Sequence, residues 1–333
     1  MTARRPTVVQ VAERAHVSIA TVSRVLNGKL ARPSSTERVL AAAAELGYVP
    51  DATGRSLRMG RSLQIAFAVD DVGNPVYTEM LSGVEDGMAG SGSRLSVAST
   101  GHNPADLMAL IDELSRGYAD GLIISPLRRT PELIQALVDA AVPTVVVGSL
   151  DAGAPLDTVR IDSGLGVRQA YEHLVDTGRR RIAFVGGPPD TAPGSARLNA
   201  FRLAGSEFGC AGPVVQAQGF TVTAGEQAWL ELAGLTGRRR PDAVLAANDL
   251  LALGVMRAAK SAGRRIPSGL AVAGIDDIQF ARIFSPSLTS VSLKARERGR
   301  LAARLLLGRI AAPGAPTRTE QVEPELIIRE STS

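Results

Sequence analysis

Two kinds of hydrophobic pattern divide the chain, with a short polar stretch between them. From Thr7 to Asn27 the sequence is TVVQVAERAHVSIATVSRVLN. Val8, Val11, Ala12 and Ala15 recur at spacings of three and four, which predicts a short helix capped by the Thr7 hydroxyl. His16-Val17-Ser18 interrupts the period, and Ser18 is placed to cap a second helix. Val22, Val25 and Leu26 form the inner stripe of that helix, leaving Ile19, Ala20, Thr21, Ser23 and Arg24 on its outer face or flanks. A third helix is expected over SSTERVLAAAAELGYVP. Ser34 and Glu37 would form a capping box, with Val39, Leu40, Ala43 and Leu46 as the stripe and Gly47 and Pro50 as the stop. Two short helices joined by a three-residue turn, with a third closing a small core, describe a helix-turn-helix, whose second helix can enter a major groove. A surface helical hairpin of an ordinary domain has the same local pattern.

Residues 51–62, DATGRSLRMGRS, are basic and poor in core residues, the composition of a linker. Ala52 to Arg58 spans about two helical turns, too few to be stable alone in water. From Leu63 onward strand and helix signals alternate. LQIAFAVD, SRLSVAST, ADGLIISP and VPTVVVGS read as strands with helical segments between them. The alternation resumes after residue 162 with the helix GVRQAYEHLVDTG and the strands RRIAFVGG, PDAVLAAND and GLAVAGIDD. This order predicts an α/β core of two doubly wound parallel-sheet lobes, with a cleft at the carboxyl ends of the strands.

Charge sharpens the division. Residues 1–64 hold ten Lys and Arg against four Asp and Glu, a net of +6; the remainder holds 27 against 29, a net of −2. A basic head on a near-neutral body suits phosphate binding by the head alone. MTARRPTVV has no apolar signal region, no run of eighteen apolar residues occurs, and Cys210 is the single cysteine. These features predict a cytoplasmic protein without a membrane span.

The block Val11-Ala12, Val17-Ser18, Thr21-Val22-Ser23-Arg24-Val25-Leu26-Asn27 and Gly47-Tyr48-Val49-Pro50 resembles the lactose-repressor (LacI/GalR) family of bacterial transcription regulators. The resemblance extends over essentially the whole chain and implies a core similar to periplasmic binding proteins. It implies a DNA-binding domain at 1–50, a hinge at 51–62 and an effector-binding, dimerising core at 63–333. Lobe 1 would take about 63–162 and 292–323, and lobe 2 about 163–291 and 324–333. Paired hinges in the family fold on the operator, and Leu57 holds the place of the leucine that wedges into the minor groove. Three departures stand out. His16 replaces a usual Gly in the turn, which disfavours a non-glycine at φ > 0. Asp51 replaces a usual Asn, and Gly54 a usual Ala at about 1 kcal/mol of helix propensity, so this hinge is expected to order less readily.

Thr21, Ser23 and Asn27 are expected to set register on phosphates, Ile19 and Ala20 to make apolar base contacts, and Arg24 to read guanine, with the capping residues Thr7 and Ser18 also counted in the DNA-binding set. For the effector, Asn248 and Asp276 end apolar runs, and Asp71, Asn74, Tyr77 and Ser125 lie on loops after the first lobe's strands. Asn248 and Asp249 could each cap the following helix, Asp249 as readily as it could bind, and Asp277 can be structural. Arg197 and Phe220 match a pocket arginine and a pocket aromatic of the family. Carboxylate, amide, guanidinium and ring together suit a polyhydroxylated ligand such as a sugar, with a nucleobase or nucleoside as the other option through stacking on Phe220.

No catalytic set is evident. His16, His102 and His173 are scattered, and GGPPD lacks the Lys-Ser/Thr of a phosphate loop. No cofactor and no metal are expected. The reading is a repressor-type dimer on a near-palindromic operator, controlled by a small molecule, with no heptad tail after ELIIRE to build a tetramer. The rivals are a sugar-sensing or carrier module and a sugar-modifying enzyme.

Overall fold

The computed structural model describes residues 7–26, 31–46, 62–101, 104–114, 118–150 and 154–333. The N-terminal unit has three helices, α1 (Val8–Ala15), α2 (Ile19–Leu26) and α3 (Pro33–Leu46). They enclose a core of Val11, Ala12, Ala15, Val22, Val25, Val39, Ala42 and Ala43. Thr7 caps α1 in a full capping box with Gln10, each side chain reaching the other's backbone. His16 ends α1 in the left-handed conformation, φ 52° and ψ 49°. The turn therefore does require positive φ, and an imidazole-bearing residue adopts it at some cost.

Two expectations for α3 fail. The helix begins at Pro33, with the Arg32 carbonyl receiving the Ser35 and Thr36 amides, so Ser34 already lies inside the first turn and forms no box with Glu37. Pro at the first helical position supplies the start because its missing N–H leaves no orphan donor. Leu40 is 52% exposed, and Ala42 takes the core place beside Val39 and Ala43.

Two six-stranded lobes follow. Their elements in chain order are β1 (Gln64–Val69), α4 (Pro75–Met88), β2 (Arg94–Ser99), α5 (Pro104–Glu113), β3 (Gly121–Ser125), α6 (Pro131–Asp139), β4 (Thr144–Val147) and β5 (Asp157–Ile161). After these come α7 (Ser163–Asp176), β6 (Ile182–Gly186), α8 (Ala192–Glu207), β7 (Val214–Gln216), α9 (Val222–Ala233), β8 (Ala243–Ala246), α10 (Asp249–Ser261) and β9 (Ala271–Asp276). The chain closes with α11 (Gln279–Ile283), β10 (Thr289–Ser292), α12 (Ala295–Ala311), β11 (Thr319–Val322) and β12 (Glu325–Ile327).

The first sheet runs β11-β5-β4-β3-β1-β2, all parallel; the second runs β12-β10-β9-β8-β6-β7, parallel except for β12. Each sheet therefore reverses its winding at its first strand, between β3 and β2 in one lobe and between β8 and β7 in the other. Loops at such a switch point diverge and leave a crevice at the strands' carboxyl ends. The strands change sheet between β5 and β6, between β10 and β11, and between β11 and β12.

The central strands β1, β3, β4, β6, β8 and β9 are buried almost throughout, as helices on both faces demand. Helix α12 packs on β3, β4 and β5 and lies directly against α4. Gly83 and Gly299 permit that approach: a Cβ on Gly83 would stand 1.8 Å from the Arg296 carbonyl oxygen, and one on Gly299 2.1 Å from that of Met80. In the second lobe, Tyr171, Phe184 and Phe201 stack around a buried centre, and the Tyr171 hydroxyl donates to the Cys210 carbonyl at 2.7 Å.

Candidate functional site

A cavity of about 210 Å³ lies between the lobes. From the first lobe come Asn74 after β1, Tyr77 and Met80 on α4, Ser125 at the end of β3, and Gly148 and Ser149 after β4. From the second come Arg197 on α8, Phe220 after β7, Asn248 after β8 and Asp276 at the end of β9. Arg298 enters from α12. Of the eight effector candidates chosen from sequence, seven line this space. Asp71 does not: it is exposed, and its carboxylate accepts the Gly73 amide at 2.8 Å in an Asx turn.

The same loop chemistry sets the orientation of the lining. Asn74 Oδ1 accepts the Val76 amide at 3.2 Å and caps α4, with Pro75 at the first helical position. Asn248 Oδ1 accepts the Leu251 amide at 3.0 Å and caps α10, while Nδ2 donates to the Phe220 carbonyl at 3.4 Å. Capping thus fixes the orientation of the Asn248 amide, with one Nδ2 hydrogen and one Oδ1 lone pair beyond these two bonds. Phe220 lies against Gly187, where a Cβ would stand 2.2 Å from the ring. Gly187, the second glycine of GGPPD, therefore accommodates the aromatic ring.

Arg197 and Asp276 are each over nine-tenths buried and pair at 3.5 Å, and Arg197 Nη1 also donates to the Ala247 carbonyl at 2.5 Å. Asp276 has φ 119° and Asp277 φ 55°, conformations that L-residues rarely adopt. This strained turn is held from beneath. Asp249, fully buried as the first residue of α10, accepts the Ile278 amide at 2.9 Å and the Ser290 hydroxyl at 2.5 Å; Ser290 Oγ in turn accepts the Asp277 amide at 3.0 Å. Asp277 faces away, to Arg329 at 2.5 Å and Arg282 at 3.3 Å. Asp249 is thus a support for the ligand loop; the cap is Asn248.

Burial drives several ionisations. It pushes the Asp249 carboxyl well above the ordinary carboxylate range, with the Asp276 charge adding to the effect, and raises Asp276 against the opposing pull of Arg197 and Arg298. It raises the Tyr77 phenol, which stays protonated, and lowers Arg298 to about 10. A carboxyl raised in the fold is fully stabilising below its unfolded pKa and loses that contribution as pH rises through the folded value. Asp249→Asn reproduces the shape and hydrogen bonding of the neutral acid. Its melting temperature relative to the parent should therefore climb steadily from pH 4 to pH 8; a constant difference would show that Asp249 is ionised without penalty. Asp249→Leu leaves the Ile278 and Ser290 donors unmet and should cost about 1–3 kcal/mol.

Sequence reasoning missed Arg298, Arg129, Ser149 and Ser163, all in the cavity wall. Ser149 and Ser163 follow β4 and β5 and share the signal used for Ser125, a polar residue directly after a buried strand. Arg298 has none, since it lies within a helix rich in arginine, ARERGRLAAR. At the cavity's mouth the lobes also touch directly: Arg128 pairs with Asp190 at 2.6 Å, and the Ala192 amide donates to the Leu127 carbonyl at 2.9 Å.

In the N-terminal unit, Ser18 accepts the Thr21 amide at 3.2 Å and starts α2. Ser18, Ile19, Ala20 and Arg24 are exposed, Thr21 and Ser23 half-buried, and Val22 and Val25 buried. The exposed face of α2 is small and apolar at its start and cationic one turn later. Asn27 and Leu57 lie outside the described residues, as do Asp51 and Gly54. Among the described residues no group of His, Cys, Asp and Glu is arranged to hold a metal ion, and no helix is long and apolar enough to cross a membrane.

Residues 7–51 match the profile of bacterial regulatory proteins of the lacI family, and 171–332 that of a periplasmic binding protein-like domain. The HTH-type transcriptional regulator CelR of Thermobifida fusca is 36% identical over 98% of both chains, and the ribose operon repressor of Escherichia coli K12 is 32% identical over 98% of this chain and 99% of its own. Among solved structures, a CelR–cellobiose complex superimposes with TM-score 0.73 at 34% identity, covering 98% of this chain and all of the other. The lac repressor dimer bound to operator and the anti-inducer ONPF does so with TM-score 0.73 at 25% identity, covering 99% of each chain. With a helix-turn-helix ahead of two lobes that meet over a cavity, and with full-length relatives that are regulators and not enzymes, the chain belongs to the lacI family of bacterial transcriptional regulators.

Proposed function

We propose that the chain is a homodimeric repressor whose affinity for a near-palindromic operator is set by a small polyhydroxylated effector in the interlobe cavity. The observation that carries this reading is the buried Arg197–Asp276 pair beside Asn248 and Phe220, at the carboxyl ends of the second sheet and facing the first lobe's Tyr77 and Ser125. A carboxylate and a guanidinium grip vicinal hydroxyls, and the ring covers the apolar face of a pyranose. Relatives named for ribose and a structure named for cellobiose support a sugar. The lac repressor dimer on its operator supports a homodimer on DNA.

In this reading Ser18, Thr21 and Ser23, with Thr7 at the start of α1, meet phosphates, while Ile19 and Ala20 meet thymine methyls. Asn27 joins the phosphate contacts and Leu57 wedges the central step. Lobe closure changes the spacing of the two hinges, so ligand binding and operator binding are coupled reciprocally.

Selection of bound duplexes from a random pool at near-physiological salt tests the reading. Near-palindromes with a flexible central step are expected, with affinity that shifts on addition of a sugar; recovery of no preferred sequence, with and without sugars, would refute it. Arg24→Ala should flatten preference at one base pair per half-site, a loss of about 1–3 kcal/mol of discrimination. An unchanged sequence preference in the same selection would remove Arg24 from base reading.

A further inference from the structure

The charge balance of the interlobe cavity is not that of a neutral-sugar site. Its wall brings two buried guanidinium groups, on Arg197 and Arg298, to the single carboxylate of Asp276. Arg197 takes that carboxylate as its ion-pair partner. Arg298 is 7% exposed, and its Nε has no hydrogen-bond partner among the described residues, nor does the Nε of Arg197. Behind the wall the buried carboxyl group of Asp249 is occupied by Ser290 and Ile278. A buried cation without a hydrogen-bonded counter-charge is costly, by several kcal/mol for each ion on general grounds, and folds retain such groups where a ligand completes them.

We propose that the effector is an anionic polyol, a sugar carrying a carboxylate or a phosphate ester, and that Arg298 binds the anionic group. This rests on the interlobe cavity being the effector site. Tyr77 and Ser125 in the same wall supply neutral hydroxyls to either anion, and Arg197 with Asp276 remains available for the ring hydroxyls. The guanidinium fork suits both oxyanions because each presents two oxygens in one plane. Arg298 also comes from α12, the segment by which the chain returns from the second sheet to the first. A ligand whose anionic group is held there and whose hydroxyls are held by Arg197 and Asp276 would join the lobes.

The test uses the full chain and Arg298→Met, which keeps the side-chain volume and removes the charge. In the first arm, thermal melts are run in inorganic phosphate and in chloride of equal ionic strength. Phosphate is expected to raise the midpoint of the parent and not that of Arg298→Met, and in chloride the variant is expected to be at least as stable as the parent. In the second arm, calorimetry compares glucose, glucuronate and glucose 6-phosphate. At least one anionic member should bind tenfold or more tightly than glucose, with the preference lost in Arg298→Met and partly kept in Arg298→Lys. A preference for glucuronate alone identifies a sugar acid, and one for the phosphate ester alone a sugar phosphate.

The proposal is overturned by glucose binding as tightly as its charged counterparts, by a phosphate response that survives in Arg298→Met and so belongs to the basic head, or by a clear loss of stability in that variant. Silence of the parent toward phosphate and both anionic sugars also overturns it. Failure of the regulator reading would be seen separately, as absence of operator binding by the parent in the duplex selection.

Discussion

Arg197→Ala is expected to lower the folding stability of the core by about 3 kcal/mol and to weaken effector binding by at least a hundredfold. Two connections end together: the ion pair to Asp276 and the hydrogen bond to the Ala247 carbonyl, both inside the fold. Breaking a buried pair from one side costs about 3–5 kcal/mol because the remaining charge stays desolvated. The lower end applies here, since Arg298 remains as a second cation near Asp276. The hundredfold loss is the scale expected when one partner of a desolvated, hydrogen-bonded charge is truncated, about 2–5 kcal/mol. Arg197→Lys should recover part of the stability and little of the affinity, because an ammonium cannot span the carboxylate and the carbonyl as a fork does. Chemical denaturation and titration with the ligand found by screening give the two numbers. Retained affinity in Arg197→Ala would place the effector elsewhere in the cleft.

Gly83→Ala should be the most damaging single-methyl change in the first lobe. The added Cβ would stand 1.8 Å from the Arg296 carbonyl oxygen and within 3 Å of that residue's carbonyl carbon and Cα, all of them backbone atoms. No rotamer change relieves such a contact, so α4 and α12 must separate. Overpacking a close-packed site costs about 1–3 kcal/mol and more where the backbone itself must shift. A loss near 3 kcal/mol corresponds to a melting temperature lower by roughly 6–12 °C for a unit of this size. The displacement also reaches the cavity, because α4 bears Tyr77 and Met80 and α12 bears Arg298. Effector affinity should fall together with stability. Gly314→Ala, where a Cβ meets no atom within 4 Å, is the matched control and should lie within about 0.5 kcal/mol of the parent. A thermal melt of the two variants side by side decides the matter: equal midpoints would mean that the helices yield without cost.

Much of this molecule was legible before any coordinates, for a physical reason. Helix-turn-helix residues interact with near neighbours, so period, caps and turn appear in twenty consecutive letters, from Thr7 capping α1 to Val22 and Val25 beneath α2. The buried strands β1, β3, β4, β6, β8 and β9 appear as apolar runs because helices cover both of their faces. Asn74, Ser125, Asn248 and Asp276 could be placed at the cavity from sequence because a doubly wound sheet opens its crevice directly after such runs. Where the sequence failed, the signal was short or the neighbours were distant. β5, β7, β10 and β11 read DTVRI, VVQ, TSVS and TEQV, where polar residues break the apolar run. Leu40 reads as core by spacing, yet the three-helix unit needs only the narrower stripe of Val39, Ala42 and Ala43. Asp71 sits on the right loop but turns outward into its own Asx turn.

The sequence by itself determined the three-helix head, the alternating body, the cleft at the strand ends and the family, since each depends on local period or on motifs contiguous in the chain. Only the tertiary structure decided that Asn248 caps α10 and Asp249 props the Asp276 loop, because that choice depends on Ser290, some forty residues further on. Likewise only the structure brought Arg298 into the cavity beside Arg197 and Asp276. One cation among the arginines of an amphipathic helix carries no local mark; its burial and its missing partner exist only once two lobes have closed around it.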